Sequence, residues 1–383
     1  MMKALTIILI FLVFLLPAAC GQGNGSSPAT QPEYETSAGH AQTNENSETP
    51  ADRTETNANA ESAAAPVVFT FDGERSIEVF GNGYPLTVRD YLDFETVLES
   101  SPQRVAVLSG TPLNIWYDLG GKSVCTAIIS DNLKILPQYR EELLALPAIG
   151  QVFSVNMEAI IEQEPDLIIA QFGTQNVQAA ALRNMGYNVI TTYIRSFDDL
   201  ISAYLAFGKI LENAEPAEAK AAELINRRNE LILMSPQDEQ AVVILYLTAN
   251  ALSVKLNNSI AGDIALSLGL QNIAADLPAD SIGGENALLD IEYVIAKDPD
   301  IVLVTSMIAD NATAIVTMEG IFADSPIWQG VRAVREGRVV YLPQEYFLYN
   351  AGPFYNEAVE YMARSVYPEI YGEAGEWYES KRN

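Results

Sequence analysis

Asn156-Met157-Glu158-Ala159-Ile160-Ile161-Glu162-Gln163-Glu164-Pro165-Asp166-Leu167-Ile168-Ile169 and Asp290-Ile291-Glu292-Tyr293-Val294-Ile295-Ala296-Lys297-Asp298-Pro299-Asp300-Ile301-Val302-Leu303 are two copies of one design. In each, the first side chain (Asn156, Asp290) can accept from the free N–H groups that open a short helix. Pro165 or Pro299 then ends that helix, because a proline disfavours helical geometry in the residue before it. An Asp and an apolar run follow, the pattern of a buried strand.

Glu158 and Glu292 hold the same place in the two copies, and 292 − 158 = 134 residues separate them, the spacing of one lobe. A carboxylate in the first helical turn is favoured by about 0.3–1 kcal/mol at the positive end of the helix dipole. Helix-end chemistry therefore accounts for both glutamates, and the residues alone leave open whether they do more.

Outward from the repeats, 383 residues are enough for two cores, and 49% hydrophobic with 19% charged residues is a globular composition. A formal charge of −28 excludes a nucleic-acid partner, whose phosphates need a basic footprint. Cys20 and Cys125 are the only thiols, so no disulfide framework exists. The one histidine, His40, lies in a polar, low-complexity stretch, which rules out a histidine metal site or a Ser-His-Asp triad in the folded part.

Residues 1–19 hold Lys3, an apolar run from Ala4 to Leu16, and Pro17-Ala18-Ala19 before Cys20. This is the pattern of a secretory signal peptide, the run being short for a membrane span. Residues 20–65 follow as a tether of Gly, Ser, Thr, Asn, Gln, Glu and Ala, too polar to offset the entropy of ordering. From Pro66, Val67–Phe71 and Ser76–Phe80 flank Asp72-Gly73 and read as a β-hairpin.

The expected architecture is α/β, with two lobes of parallel sheet. The first lobe spans 66–197, with strands at Arg104–Leu108, Val124–Ile129, Asp166–Ala170 and Tyr187–Thr191. Residues 198–234 read as helix almost without break, Asp198–Leu211 and then Ala217–Leu233 with Pro216 suited to a first turn, a stiff bridge between the lobes. The second lobe, 235–383, has strands at Ala241–Leu247, Ile301–Val304 and Val339–Leu342, with helices between them. Ligand loops in such sheets lie at the carboxyl ends of the strands, so a cleft between the lobes should be lined from there.

Gly120-Gly121-Lys122-Ser123 imitates the end of a P-loop, but Trp116 stands where that motif needs glycine. No nucleophile elbow, H-E-x-x-H or dinucleotide fingerprint is present. Glu158 and Glu292 are the one symmetric acidic pair, yet glycoside chemistry needs carboxyl groups roughly 5–10 Å apart, and matched positions on two lobes lie farther.

Residues 100–372 resemble the substrate-binding proteins of bacterial ABC importers for iron–siderophore complexes, haem and cobalamin. The resemblance is carried by Arg104–Ser109, Leu146–Gly150 running into Asn156-Met157-Glu158, Glu164–Ile168, Leu268–Ala274, Asp298–Leu303, Ser325–Trp328 and Ala333–Val340, in that order. Cys20 after two small residues resembles the lipidated cysteine of bacterial lipoproteins, with Pro17 a departure from the common pattern. These resemblances imply a lipid-anchored, monomeric binding protein on the extracytoplasmic face, two lobes bridged by a long rigid helix, and no chemistry or cofactor of its own. The implied partners are a permease with a separate ATPase, docked through Glu158 and Glu292, and a metal chelate: a ferric siderophore, haem or a corrinoid.

The ligand set that the resemblance implies is Phe153, Gln171, Phe172, Thr174, Tyr193, Arg195, Tyr246, Asn250, Lys255 and Tyr346. Aromatic faces with a few polar groups suit a bulky chelate, and Tyr193, Tyr246 or Tyr346 could ligate a haem iron. Gln151-Val152 stands where hydroxamate binders of the family carry an arginine, which weighs against a hydroxamate. Trp328 is assigned to the core. The alternatives are an exported hydrolase using acidic residues, and a sensory domain with the same pocket but no docking glutamates.

Overall fold

The computed structural model describes Phe71, Gly73 and residues 75–236, 239–281 and 283–382. The signal sequence, Cys20, the tether and the Val67–Thr70 half of the expected hairpin lie outside the described residues.

Both repeats fold as one knot. Asn156 Oδ1 accepts from the N–H groups of Glu158 (2.9 Å) and Ala159 (3.3 Å) at the start of helix Met157–Ile161. Asp290 Oδ1 does the same for Glu292 (3.0 Å) and Tyr293 (3.2 Å) at helix Ile291–Lys297. Glu164 (φ 49°) and Asp298 (φ 45°) take left-handed backbone before their prolines, the conformation that stops each helix. Asp166 then accepts from the N–H groups of Gln103 (2.6 Å) and Arg104 (2.9 Å), and Asp300 from that of Ala241 (3.0 Å). Each carboxylate thereby ties its own strand to the start of the neighbouring one.

Carbonyls left over at the helix ends are satisfied by guanidinium groups. Arg104 Nε donates to the carbonyls of Gln163 and Glu164, both at 3.1 Å. Arg332 donates to the Asp298 carbonyl (3.3 Å) and to the carboxylates of Asp298 (3.0 Å) and Asp300 (2.9 Å).

In the first lobe Val105–Val107, Leu167–Gln171 and Val189–Thr192 form a parallel sheet with Leu167–Gln171 in the centre. The strands read as unbroken apolar runs because both faces are covered. The expected strand Val124–Ile129 is an extended segment instead: Val124 donates to Val105 (2.8 Å), and Thr126 makes a single bridge with Ala148.

The second lobe holds a six-stranded sheet that is parallel where expected, through Ala241–Thr248, Ile301–Met307 and Val339–Tyr341. It also carries an antiparallel edge that the repeat pattern did not announce, Leu252–Lys255 with Asn286–Leu288. A tight turn reverses the chain there, with the Thr248 N–H donating to the Ala251 carbonyl at 2.9 Å.

Among the described residues Glu78–Phe80 pairs with Leu86–Arg89, which pairs in turn with Glu95–Leu98, in a three-stranded antiparallel sheet. The run 198–234 is two helices, Phe197–Ile210 and Ala214–Met234, because Glu212 turns left-handed (φ 54°) between them. They fold back on one another: the guanidinium of Arg228, late in the second, lies 4.6 Å from the ring centroid of Phe197, which begins the first. Gly208 makes this close approach possible, since a Cβ there would come within 2.2 Å of the Ala217 Cβ. The second helix, of 21 residues and so roughly 30 Å long, runs on from the first lobe into strand Ala241–Thr248 of the second. Trp328 is in the core, its ring 5.2 Å from that of Phe322.

A candidate ligand cleft between the lobes

Loops at the carboxyl ends of the strands enclose a cleft of about 850 Å³, part of it open to solvent. The first lobe lines it with Gln171–Thr174 and Thr192–Arg195, and the second with Tyr246, Glu285, Met307 and Leu348–Asn350. A recess of about 380 Å³, walled by Gly110, Thr126–Ser130, Leu133 and Val152, opens beside it and shares Gln171 and Tyr349. A larger hollow of about 990 Å³ lies against Val339–Pro343, but one lobe supplies all of its wall. The cleft is the better candidate, because both lobes contribute and polar groups converge there.

Two aromatic rings, Phe172 and Tyr193, stand in the first-lobe wall, with Tyr91 packed against both. Tyr91, Phe172 and Tyr193 pack in a triangle with centroids 4.8–5.0 Å apart, in tilted and edge-on geometries. Tyr91 comes from the leading sheet, where its N–H donates to the Thr191 carbonyl (3.2 Å). The Arg195 guanidinium stacks 3.9 Å from the Tyr193 centroid, and Lys255 Nζ lies 4.0 Å from that of Tyr246. Each of these tyrosines is thus backed by a cation.

One carboxylate joins the two cations. Glu285 Oε1 accepts from Lys255 Nζ at 2.5 Å, and Oε2 from Arg195 Nη1 at 3.2 Å, so this bond crosses between the lobes. Burial would raise Glu285, but Lys255 and Arg195 hold its carboxyl below the ordinary range. Burial lowers Lys255, with Glu285 opposing. Burial pushes the Tyr193 phenol up to about 12, against the pull of Arg195; burial and the Glu285 charge push Tyr246 up to about 12. The Tyr246 hydroxyl faces Met307 Sδ at 3.4 Å.

The backbone at Arg195 is fixed by a capping box. Ser196 Oγ accepts from the Asp199 N–H (3.1 Å), while Asp199 Oδ2 accepts from Ser196 (2.9 Å) and Arg195 (3.0 Å). Gln175, wholly buried, donates to the carbonyls of Leu108 (2.9 Å) and Val152 (3.0 Å) and accepts from the Gln171 N–H (2.9 Å).

Of the residues singled out in the sequence, Gln171, Phe172, Thr174, Tyr193, Arg195 and Tyr246 meet in the cleft. Lys255, 7% exposed, stands one layer behind, reaching Glu285 and the Tyr246 ring. Phe153 sits 70% exposed at the tip of the hairpin Gly150–Gln151/Ser154–Val155 and does not line the cleft. Asn250 is exposed in the turn after Thr248. Tyr346 is 1% exposed and donates to Glu357 (2.6 Å), so burial keeps it from any ligand iron in this arrangement. Glu285, Tyr349, Asn350, Met307 and Tyr91 escaped the sequence reading. Tyr349 and Asn350 could have been found by applying the strand-end rule to the third parallel strand of the second lobe.

Glu158 and Glu292 are exposed and make no ion pair among the described residues. No cluster of metal-ligating side chains occurs there either, nor any helix long and apolar enough to cross a membrane.

The profile of the family described as periplasmic binding protein matches residues 105–346, which contain both repeats and all of the cleft lining except Leu348–Asn350. The chain belongs to the periplasmic binding protein family. It is therefore a non-enzymatic component of transport. A cobalamin-binding protein of Halobacterium salinarum is 26% identical over 258 residues, 67% of this chain and 68% of that protein. An uncharacterized ABC transporter substrate-binding lipoprotein of Bacillus subtilis, YvrC, is 23% identical over 303 residues, 76% of this chain and 88% of its own. Among solved structures, an ABC-type Fe3+-hydroxamate transport system from Saccharomonospora viridis superposes with a TM-score of 0.60 at 19% identity. That overlap spans 74% of this periplasmic binding protein and 99% of the other, and supports the fold alone.

Proposed function

We propose that this chain is the extracytoplasmic, lipid-anchored substrate-binding protein of an ABC importer, and that its ligand is a bulky, near-neutral metal chelate of the corrinoid class. The observation that carries the ligand class is the cleft wall itself. Its charged members are Arg195 and Glu285, which pair with each other, while Phe172, Tyr193, Tyr246 and Tyr349 add aromatic faces among small polar and aliphatic side chains. A cleft of this size with exposed ring surface and paired charges favours a large ligand with little net charge. The cobalamin-binding relative agrees with that choice. A haem would ask Tyr193 or Tyr246 to ionise toward its iron, which burial opposes.

Capture takes place between the lobes, and delivery to the permease uses Glu158 and Glu292. Two exposed carboxylates on two lobes form a two-point electrostatic key, suited to orientation and on-rate more than affinity. Intrinsic fluorescence titration with cyanocobalamin, haem and ferric siderophores tests the ligand, with the strongest quenching expected from cyanocobalamin. Uptake of that ligand by cells carrying Glu158→Ala/Glu292→Ala tests docking. Binding should persist while uptake falls; unchanged uptake would refute the docking role and favour a sensory protein.

A further inference from the structure

Arg195 and Lys255 are two cations from different lobes that converge on one carboxylate, each taking one of its oxygens. Both are withdrawn from bulk solvent, with side-chain exposures of 15% and 8%. Their cationic groups lie over Tyr193 and Tyr246, the rings that face the cleft. Without Glu285, the two lobes would point a pair of unbalanced cations at the same space, which is how an anion site is built.

The carboxylate is held there by the fold rather than by chance. The Leu256 N–H donates to the Glu285 carbonyl at 2.8 Å. Lys255 pairs with Asn286 in the antiparallel edge, which sets Glu285 just before the paired stretch, within reach of Lys255 Nζ. The edge is the part of the second lobe that the repeat does not supply, and it delivers both residues.

We propose that Glu285 is the specificity-determining residue of this cleft: its one negative charge engages both Arg195 and Lys255 and offsets half of their positive charge, weakening the hold on anionic chelates relative to uncharged ones. The inference rests on the reading of the cleft as a chelate site. A ligand anion a few ångströms from Glu285, at an effective dielectric of about 20, would feel a penalty of roughly ten-fold or more in affinity per charge after screening.

The test compares cyanocobalamin, which is neutral, with a trianionic ferric tris-catecholate, by fluorescence titration of the wild type, Glu285→Gln and Arg195→Gln. Glu285→Gln keeps the shape and removes the charge, and should move the affinity ratio at least ten-fold toward the tris-catecholate. Arg195→Gln leaves Glu285 with Lys255 alone and should move it the other way, so the pair decides the matter even if one variant fails to fold. If the wild type prefers cyanocobalamin and neither variant moves the ratio, the role of Glu285 is overturned and the corrinoid reading stands. A wild type that prefers the tris-catecholate overturns both. Should the wild type bind neither probe tightly while Glu285→Gln gains the tris-catecholate, the gatekeeping role holds and the corrinoid reading falls. No saturable quenching in any of the three proteins overturns both.

Discussion

Lys134 offers a sharp test of how the lobes are held. It belongs to the first lobe, where Asn114 fixes its carbonyl at 2.8 Å, but its ammonium is embedded in the second. Nζ donates to Glu357 (2.7 Å), to the Tyr346 hydroxyl (3.0 Å) and to the Lys381 carbonyl (2.9 Å), and lies 4.9 Å from the Phe354 ring centroid. The ion pair is mostly shielded, with side-chain exposures of 17% and 25%. Lys134→Met keeps the stem and removes the charge. Breaking a fully buried pair costs roughly 3–5 kcal/mol, and the residual exposure here discounts that to about 2–3 kcal/mol. For a cooperative unit of roughly 320 residues, unfolding entropy near 2.1 cal/mol/K per residue converts this to a fall in Tm of about 3–5 °C. Differential scanning calorimetry at pH 7 measures it. Lys122→Met is the control, because the Lys122–Glu142 pair is as short (2.6 Å) but exposed (59% and 43%), and its loss should shift Tm by under about 2 °C. Equal shifts for the two variants, or a Lys134→Met shift below 1 °C, would refute the view that shielding makes this contact a rivet between lobes.

Three further outcomes follow from particular geometries. Gly150→Ala should lower stability by about 1–3 kcal/mol in urea unfolding, since Gly150 has φ 97° and a Cβ there would meet the Ser154 carbonyl oxygen at 2.8 Å. Asp290→Ala should cost about 1 kcal/mol by the same assay, through loss of the two N–H groups it caps. Alkaline stability should depend on the cleft tyrosines: their folded-state pKa values, near 12, exceed the unfolded value of about 10, so their contribution is intact below pH 10 and lost as pH rises through 12. A Tyr193→Phe/Tyr246→Phe variant should therefore lose less Tm between pH 9 and 11 than the wild type.

The parallel strands were legible because local chemistry announces them. Pro165 and Pro299 stop helices wherever they stand, and Leu167–Ile169 and Ile301–Leu303 are apolar on both faces because both faces are covered. A pause after Leu211 was legible from Pro216, but not the reversal there, since a helix-forming run hides the left-handed Glu212 and the close packing of Gly208 on Ala217. In the cleft, residues that follow parallel strands were found by position: Gln171, Phe172, Tyr193 and Arg195. Glu285 was not, because it arrives on an antiparallel edge with no helix before it, and Tyr91 comes from a leading sheet remote in the chain. Tyr346 lies away from the cleft, and a tyrosine after a strand looks alike whether it faces a cleft or, as here, a half-buried glutamate.

The arginines of the two knots have different chain origins. Arg104 stands ahead of the helix end that it serves, and Arg332 well behind its own, yet both donate to the carbonyl of the residue before the proline. The cap, the proline and the Asp recur at matched positions in the two lobes, while the guanidinium reaches each knot from opposite directions along the chain. What recurs is an unmet demand: a helix stopped by proline strands its last carbonyls, and whichever cation the surrounding chain can bring within reach becomes part of the motif. A matched pair of charge-removing substitutions, one in each lobe, would then perturb equivalent knots built from non-equivalent parts, making each lobe the internal control for the other.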